Sequence, residues 1–369
     1  LPYTVLKTGP NAAGRCYFYR MKIITAKTAG FCMGVKRAVD MALDNTARYP
    51  HGLYTLGPLI HNKQTIDMLR ERGARELDES QPLPQSAPVL IRAHGVAPEK
   101  QRRFESQGHE IIDGTCPKVK TVHKVITRYR DLGYSIVVTG DEGHAEVIGL
   151  MGYAGDRGTL IDSVEAVASL PRSDRVCLVS QTTFDKELFD RIAAAVRARF
   201  GDECVVVKKT ICAATEQRQN ETRALAKQVD ALIVVGGINS ANTRRLAQIA
   251  QECGTATQHV ETEKQIDWNR LRDCRTVGIT AGASTPHWMI KRVVDYVEYL
   301  DRNERRTVKS YLWRAFDTLA HLNIFVSLGA VAMYYASCHL QNLEFRWRGA
   351  VIAFLYGDEI LRVLFTRLW

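Results

Sequence analysis

The sequence predicts an α/β protein of three related units with mostly parallel sheets, and three observations carry the prediction. Short apolar runs at 22–25, 89–91, 135–139, 175–179, 231–235 and 276–280 end in loops bearing Gly, Ser or His, and amphipathic helical stretches follow them. The chain of 369 residues is longer than one hydrophobic core sustains. One pattern also recurs three times at domain-sized intervals: a strand runs into a short loop, the loop delivers a cysteine, and a helix begins at once. Such alternation implies parallel strands covered by helices, with ligands held beyond the carboxyl ends of the strands.

The elements follow in order. Residues 1–20 contain no acidic residue and read as an unassigned leader, an upstream translation artefact or a transit peptide without a convincing cleavage pattern, because Met21 opens the first strand pattern. The first unit is expected over 21–115, where Ile23 and Ile24 lead to Cys32 and a helix from about Val35. At its end, Ile111 and Ile112 lead to Cys116, with Pro117 in the first helical turn, where proline is tolerated. The second unit, 116–210, closes on Val205–Val207 ahead of Cys212 and a helix from about Ala213; the third spans 211–300.

Beyond it, 301–369 reads as a linker and a hydrophobic helical extension. Arg302, Arg305, Arg306, Lys309 and Arg314 precede a stretch, 318–343, without Asp, Glu, Lys or Arg. It is long enough to cross a bilayer, and the basic flank places the body on the cytoplasmic face of the membrane. An apolar run at 350–356 is then interrupted by Asp358 and Glu359, the pattern of a membrane domain that stops early. A long amphipathic helix packed on the body is the other reading of this tail.

Composition narrows the function classes. With 46% apolar and 24% charged residues the chain is a folded protein, and a net charge of +10 favours anionic partners. No aromatic-studded basic stripe, zinc finger or helix-turn-helix signature points to nucleic acid. Nine scattered cysteines, an odd number, argue against a disulfide framework and for a reduced, cytosolic setting.

Cys32, Cys116 and Cys212 each stand at a helix start, where partial positive charge and unsatisfied N–H groups stabilise a thiolate. Three such thiolates would form an incomplete ligand set with one metal position open to substrate. The local Cys-x-x-Cys spacing usual for zinc is missing, so a cubane iron–sulfur cluster is the sharper reading, and three buried structural cysteines the alternative. His61, His94 and His144 all follow strand runs, as suits anion binding in a basic protein. Glu146, two residues after His144, becomes a proton donor if burial raises its pKa. The small-residue loops at 236–243 and 281–286 each precede a helix and read as phosphate cradles, or as simple N-caps. The run 180–183 is similar but less distinctive.

Together these stretches strongly resemble the 4-hydroxy-3-methylbut-2-enyl diphosphate reductase family, also called IspH or LytB. The residues that carry the resemblance are Ala29–Val35, Ile60-His61-Asn62, Arg92–Val96, Asp113–Pro117, Gly143–Val147, Gln181-Thr182-Thr183, Ile211–Thr215, Asn239–Asn242 and Thr280–Pro286, in family order. The resemblance implies three α/β domains around a central [4Fe–4S] cluster held by Cys32, Cys116 and Cys212. It implies reductive removal of an allylic hydroxyl to give isopentenyl and dimethylallyl diphosphates, the last step of the methylerythritol phosphate route to isoprenoids. By position, His61, His94, Ser240, Asn242 and Ser284 bind the diphosphate, His144 with Glu146 delivers protons, and Thr182 helps place the substrate hydroxyl. With no flavin or nicotinamide fingerprint in the chain, a ferredoxin- or flavodoxin-like electron donor is implied. Two positions depart from the family: Ala145 stands where proline is usual, and Ala241 where a second serine is common. A quinolinate-synthase-like [4Fe–4S] dehydratase and a non-catalytic, membrane-tethered cluster sensor are the competing readings.

Overall fold

The computed structural model describes residues 20–307 except 50, 51, 79, 81, 82 and 85, together with 310, 311, 313, 314 and 318. Arg20–Glu298 form one compact unit, and the described residues from Tyr299 on belong to a second. The expected leader and the hydrophobic stretch 318–343 lie outside the described residues, Arg20 and Thr318 apart. Among the described residues, no helix is long and apolar enough to cross a membrane.

In chain order the elements are β1 (Lys22–Thr25), α1 (Met33–Arg48), β2 (Leu53–Leu56), α2 (Lys63–Glu71), β3 (Ala74–Glu76), β4 (Val89–Ile91), α3 (Pro98–Ser106) and β5 (Ile111–Asp113). Next come α4 (Pro117–Asp131), β6 (Ser135–Thr139), α5 (Ala145–Ala154), β7 (Gly158–Ile161), β8 (Val176–Ser180), α6 (Lys186–Phe200) and β9 (Val205–Val207). The remainder comprises α7 (Ala213–Ala226), β10 (Ala231–Val235), α8 (Ala241–Glu252), β11 (Ala256–Val260), β12 (Thr276–Ala281) and a helix α9 over 287–307.

The strands form three four-stranded sheets, ordered β3-β2-β4-β5, β7-β6-β8-β9 and β11-β10-β12-β1. Every pairing is parallel. This is the α/β class that the alternating runs imply. Parallel strands bury both faces, and β8 shows how. Its Val176 and Leu178 pack with Phe189 and Ile192 of α6, whereas Cys177 and Val179 face Val122 and Ile126 of α4 and Leu150 of α5.

The connections pass from one sheet to the next. β1 belongs to the third sheet, yet Ala38, Val39 and Ala42 of the α1 that follows it share a core with Leu53 and Leu90 of the first. β5 ends the first sheet, and α4 packs on the second. β9 ends the second, and Leu225 and Ala226 of α7 pack on the third. Sequence order puts β1 within 21–115, but residues 22–25 pair in register with residues 276–279. Apolar periodicity identifies a strand and says nothing of its partner, and parallel partners are distant in sequence.

Candidate active site

Each sheet contributes to one site in the same three ways. Its edge strand runs into a cysteine, and the neighbouring strand into a loop whose carbonyl holds that cysteine. The third strand runs into a loop of polar side chains. After β5, the Cys116 N–H donates to the Ala93 carbonyl at 2.9 Å; after β9, the Cys212 N–H donates to the Thr182 carbonyl at 2.9 Å. After β1, the Cys32 N–H donates to the Ala283 carbonyl at 3.1 Å. These pinning loops also carry His94, Thr182 and Ser284. The third strands β2, β6 and β10 lead to His61, to His144 with Glu146, and to Ser240 with Asn242. All the residues expected from the sequence, with Cys32, Cys116 and Cys212, line a single cavity.

The cysteines are the N-cap residues of α1, α4 and α7, and none makes a side-chain capping bond. Ser, Thr, Asp or Asn there would contribute about 1 kcal/mol to the helix, so each of these helix starts forgoes local stability. The three are half-buried and free of disulfides. Burial pushes the Cys116 thiol up while the backbone N–H groups of Lys118 and Val119 pull it down, and Cys32 and Cys212 raise it further. The Cys116 sulfur therefore lies within the field of the other two. A Cβ on Gly34 would overlap the Cys116 sulfur, so α1 reaches this position only with glycine there.

Three imidazoles line the same cavity. Ring centroids of His61, His94 and His144 are 4.6 to 5.4 Å apart, and a nitrogen from each lies within 4.8 Å of the others. Burial first, then the neighbouring positive groups, lowers all three pKa values, that of His144 to about 3. Such a triad could in principle take a divalent cation. Arg92 and Arg244 lie close enough to depress His61 and His144, and a field that disfavours an imidazolium also disfavours a metal ion. It favours an anion. His61 Nε2, His94 Nδ1 and both amide atoms of Asn242 are buried without a hydrogen-bond partner, an arrangement that a polar ligand completes. Ser240 caps α8 by accepting from the Thr243 N–H at 3.3 Å, and Ser284 donates to the His61 carbonyl at 3.1 Å. Gly237 permits this approach of the third sheet to the first, since a Cβ there would stand 2.6 Å from the His61 carbonyl oxygen.

Glu146 is 1% exposed, and burial raises its pKa to about 7. Thr182 donates to the carboxylate twice, from its N–H at 2.7 Å and its hydroxyl at 2.8 Å, which partly offsets the rise. The Glu146 N–H donates to His144 Nδ1 at 3.2 Å, so His144 caps α5 with one nitrogen and leaves Nε2 for the cavity.

Sequence reasoning missed the arginines. Arg218 is 4% exposed, and its guanidinium donates to the Thr28 carbonyl from Nε (3.0 Å) and Nη2 (2.5 Å) and to the Gly30 carbonyl (2.8 Å). It thereby fixes the loop that delivers Cys32 and places a cation beside Cys32 and Cys212. Glu221 takes the other side of that loop through the Lys27 and Thr28 N–H groups. A signal was present: Thr215, Arg218, Gln219 and Thr222 form a polar stripe at helical spacing, and this stripe is the buried face of α7.

The family model for LytB protein matches residues 23–298. A protein of Clostridioides difficile (strain 630) named 4-hydroxy-3-methylbut-2-enyl diphosphate reductase is 40% identical over 282 residues, covering 76% of this chain and 100% of its own length. A protein of that name from Aquifex aeolicus (strain VF5) is 38% identical over 279 residues, with 75% and 96% covered. A solved structure of (E)-4-hydroxy-3-methyl-but-2-enyl diphosphate reductase, described as the terminal enzyme of the non-mevalonate pathway, is similar with 38% identity and a TM-score of 0.58 over 76% of this chain and 99% of that one. A reductase structure from Plasmodium falciparum, 24% identical, shares the fold with a TM-score of 0.72 over 75% and 87%.

Proposed function

This chain belongs to the LytB family, and on that premise we propose that it removes the hydroxyl of 4-hydroxy-3-methylbut-2-enyl diphosphate reductively, releasing isopentenyl and dimethylallyl diphosphates and water. The observation that carries the reading is the shared cavity: three thiols, three imidazoles and a protonatable carboxyl from all three sheets line it together.

The donor set fits an iron–sulfur cluster. Three N-cap cysteines are free of disulfides, with Cys116 in the field of the other two, and three thiols alone leave a fourth metal position unfilled. Cys32, Cys116 and Cys212 would hold a [4Fe–4S] cluster, which when bound supplies electrons and Lewis acidity. The chain's own groups do the rest. His61, His94, Ser240, Asn242 and Ser284 bind the diphosphate, whose charge answers Arg92 and Arg244 and whose oxygens complete the unpartnered imidazole and amide atoms. His144 donates from Nε2 and remains neutral until an anion arrives. Glu146, poised near neutrality, holds the proton that the leaving hydroxyl needs, and Thr182 orients it. The phosphate-cradle loops and the His144–Glu146 pair argue against the quinolinate-synthase-like dehydratase.

The test is anaerobic purification with an iron and sulfide count, followed by the allylic diphosphate and a strong reductant. The expected result is cluster absorption and release of both five-carbon diphosphates. Zinc in place of iron, or a reducible cluster that leaves the diphosphate untouched, would overturn the reading.

A further inference from the structure

Removing an allylic hydroxyl as water consumes two electrons and two protons: one C–O bond breaks and one C–H bond forms. A cluster accepts electrons singly, so a reduced carrier must meet this protein twice per turnover and leave oxidised each time. We propose that the carrier is a small acidic protein that docks on the exposed face formed by the first turn of α1 and the basic stripe along α4, the helices that start at Cys32 and Cys116. The inference rests on the reductase reading of the site.

Two observations define the face. The first is charge. Lys118, Thr121, Lys124 and Arg128 form an exposed stripe along α4 that starts two residues after Cys116, with Lys120 beside it. Asp113 pairs with Lys120 at 2.5 Å, but Lys118 and Lys124 have no carboxylate partner among the described residues. Neither α1 nor α4 has an acidic residue in its first turn. Lysines there oppose the helix dipole, so local helix stability does not explain them.

The second observation is an apolar centre. Met33 follows Cys32 and is 68% exposed, and its neighbour Gly34 packs on the Cys116 sulfur, which brings the two helix starts together. An adaptable, exposed thioether at the head of a basic stripe has the elements of a transient interface, an apolar centre and a charged rim. Cys32 and Cys116, the N-cap residues of these two helices, are half-buried. Electrostatic steering through such a rim raises encounter rates by roughly 10- to 1000-fold and fades with salt.

The experiment uses the cluster-loaded full chain and an acidic [2Fe–2S] ferredoxin, kept reduced, as the probe. Stopped-flow reduction of the cluster is followed against ionic strength for the native protein, for K124E/R128E, and for K227E at the far end of α7 as a control. The double reversal is expected to slow carrier-driven reduction at least tenfold at low salt and to flatten its salt dependence. The control is expected to match the native protein, and turnover driven by a reduced viologen should be the same in all three. Native carrier-driven rates in the double variant, an equal loss in K227E, or an equal loss with viologen would each overturn the proposal. Binding to anionic vesicles that disappears in K124E/R128E, with carrier rates intact, would assign the face to a membrane and overturn it too. If the reductase reading itself fails, native protein does not turn over with viologen, a result distinct from all of these.

Discussion

Glu146→Gln should damage activity and improve stability, and the pairing of opposite signs is the test. In the native protein the Glu146 pKa lies near 7 because its carboxyl is buried. In the unfolded chain it returns to an ordinary 4.5. The folded state therefore binds the proton more tightly. Stability from this group is fully present below pH 4.5 and declines as pH rises towards 7, and the deficit is constant beyond. At 1.36 kcal/mol for each tenfold change in proton affinity, that deficit is about 3 kcal/mol. Glutamine does not ionise, and its amide matches the Thr182 contacts: Oε1 accepts from the Thr182 N–H, and Nε2 donates to a rotated Thr182 hydroxyl. Thermal midpoints of variant and native protein should thus be similar at pH 5 and diverge in the variant's favour by pH 8, at roughly 2–4 °C per kcal/mol. Turnover with a small reductant should fall about 10²- to 10⁴-fold, the usual worth of a general acid. It should also lose the decline that deprotonation of Glu146 imposes on the native enzyme above pH 7. Parallel stability curves across pH 5–8 would show that Glu146 ionises like any carboxylate, and the account of its role would fail.

Three further outcomes are expected. Binding of inorganic diphosphate at pH 7 should take up protons, because His61, His94 and His144 are neutral in the free protein and an anion raises their pKa values; calorimetry in buffers of different ionisation enthalpy measures this, and zero uptake would count against the imidazole cradle. Gly34→Ala forces a methyl onto the Cys116 sulfur, so iron content should drop well below that of the native protein while the far-ultraviolet circular dichroism is unchanged. Ala145→Pro should stabilise the fold by about 0.4–1 kcal/mol by restricting the unfolded chain. Position N1 tolerates proline, and His144 already has the extended backbone (φ −66, ψ 137) that a following proline requires, so a lowered melting temperature would contradict the capping geometry.

Much of this architecture was legible in the sequence because its signals are local. Cys116 followed by Pro117 announces a helix start with an unusual cap, and the strands at 135–139 and 231–235 declare themselves by continuous apolar runs. The cavity residues were legible for the same reason, as each follows a strand end. What pairs distant segments was not. Nothing in residues 22–25 identifies β12 as their partner. The Glu146–Thr182 contact joins α5 to the loop after β8, and no pattern in either segment foretells it. Arg218 was passed over because a charged residue within a helix is ordinarily solvated. Only the inward polar stripe of α7, recognisable once the sheet beneath it is known, gives it a purpose.

The pairing of β1 with β12 has a consequence for the order of events during synthesis. β1 leaves the ribosome first among these strands, and the strand it must join is made last. At 5–20 residues per second the wait is on the order of ten seconds or more. By its end the first two sheets have all their strands, while the third still lacks β12 and the loop that ends in Ala283, the anchor of Cys32, does not yet exist. The ring of sheets is closed by a join between its earliest and latest parts, so a nascent chain of this body has no finished three-cysteine pocket until nearly all of it has been translated.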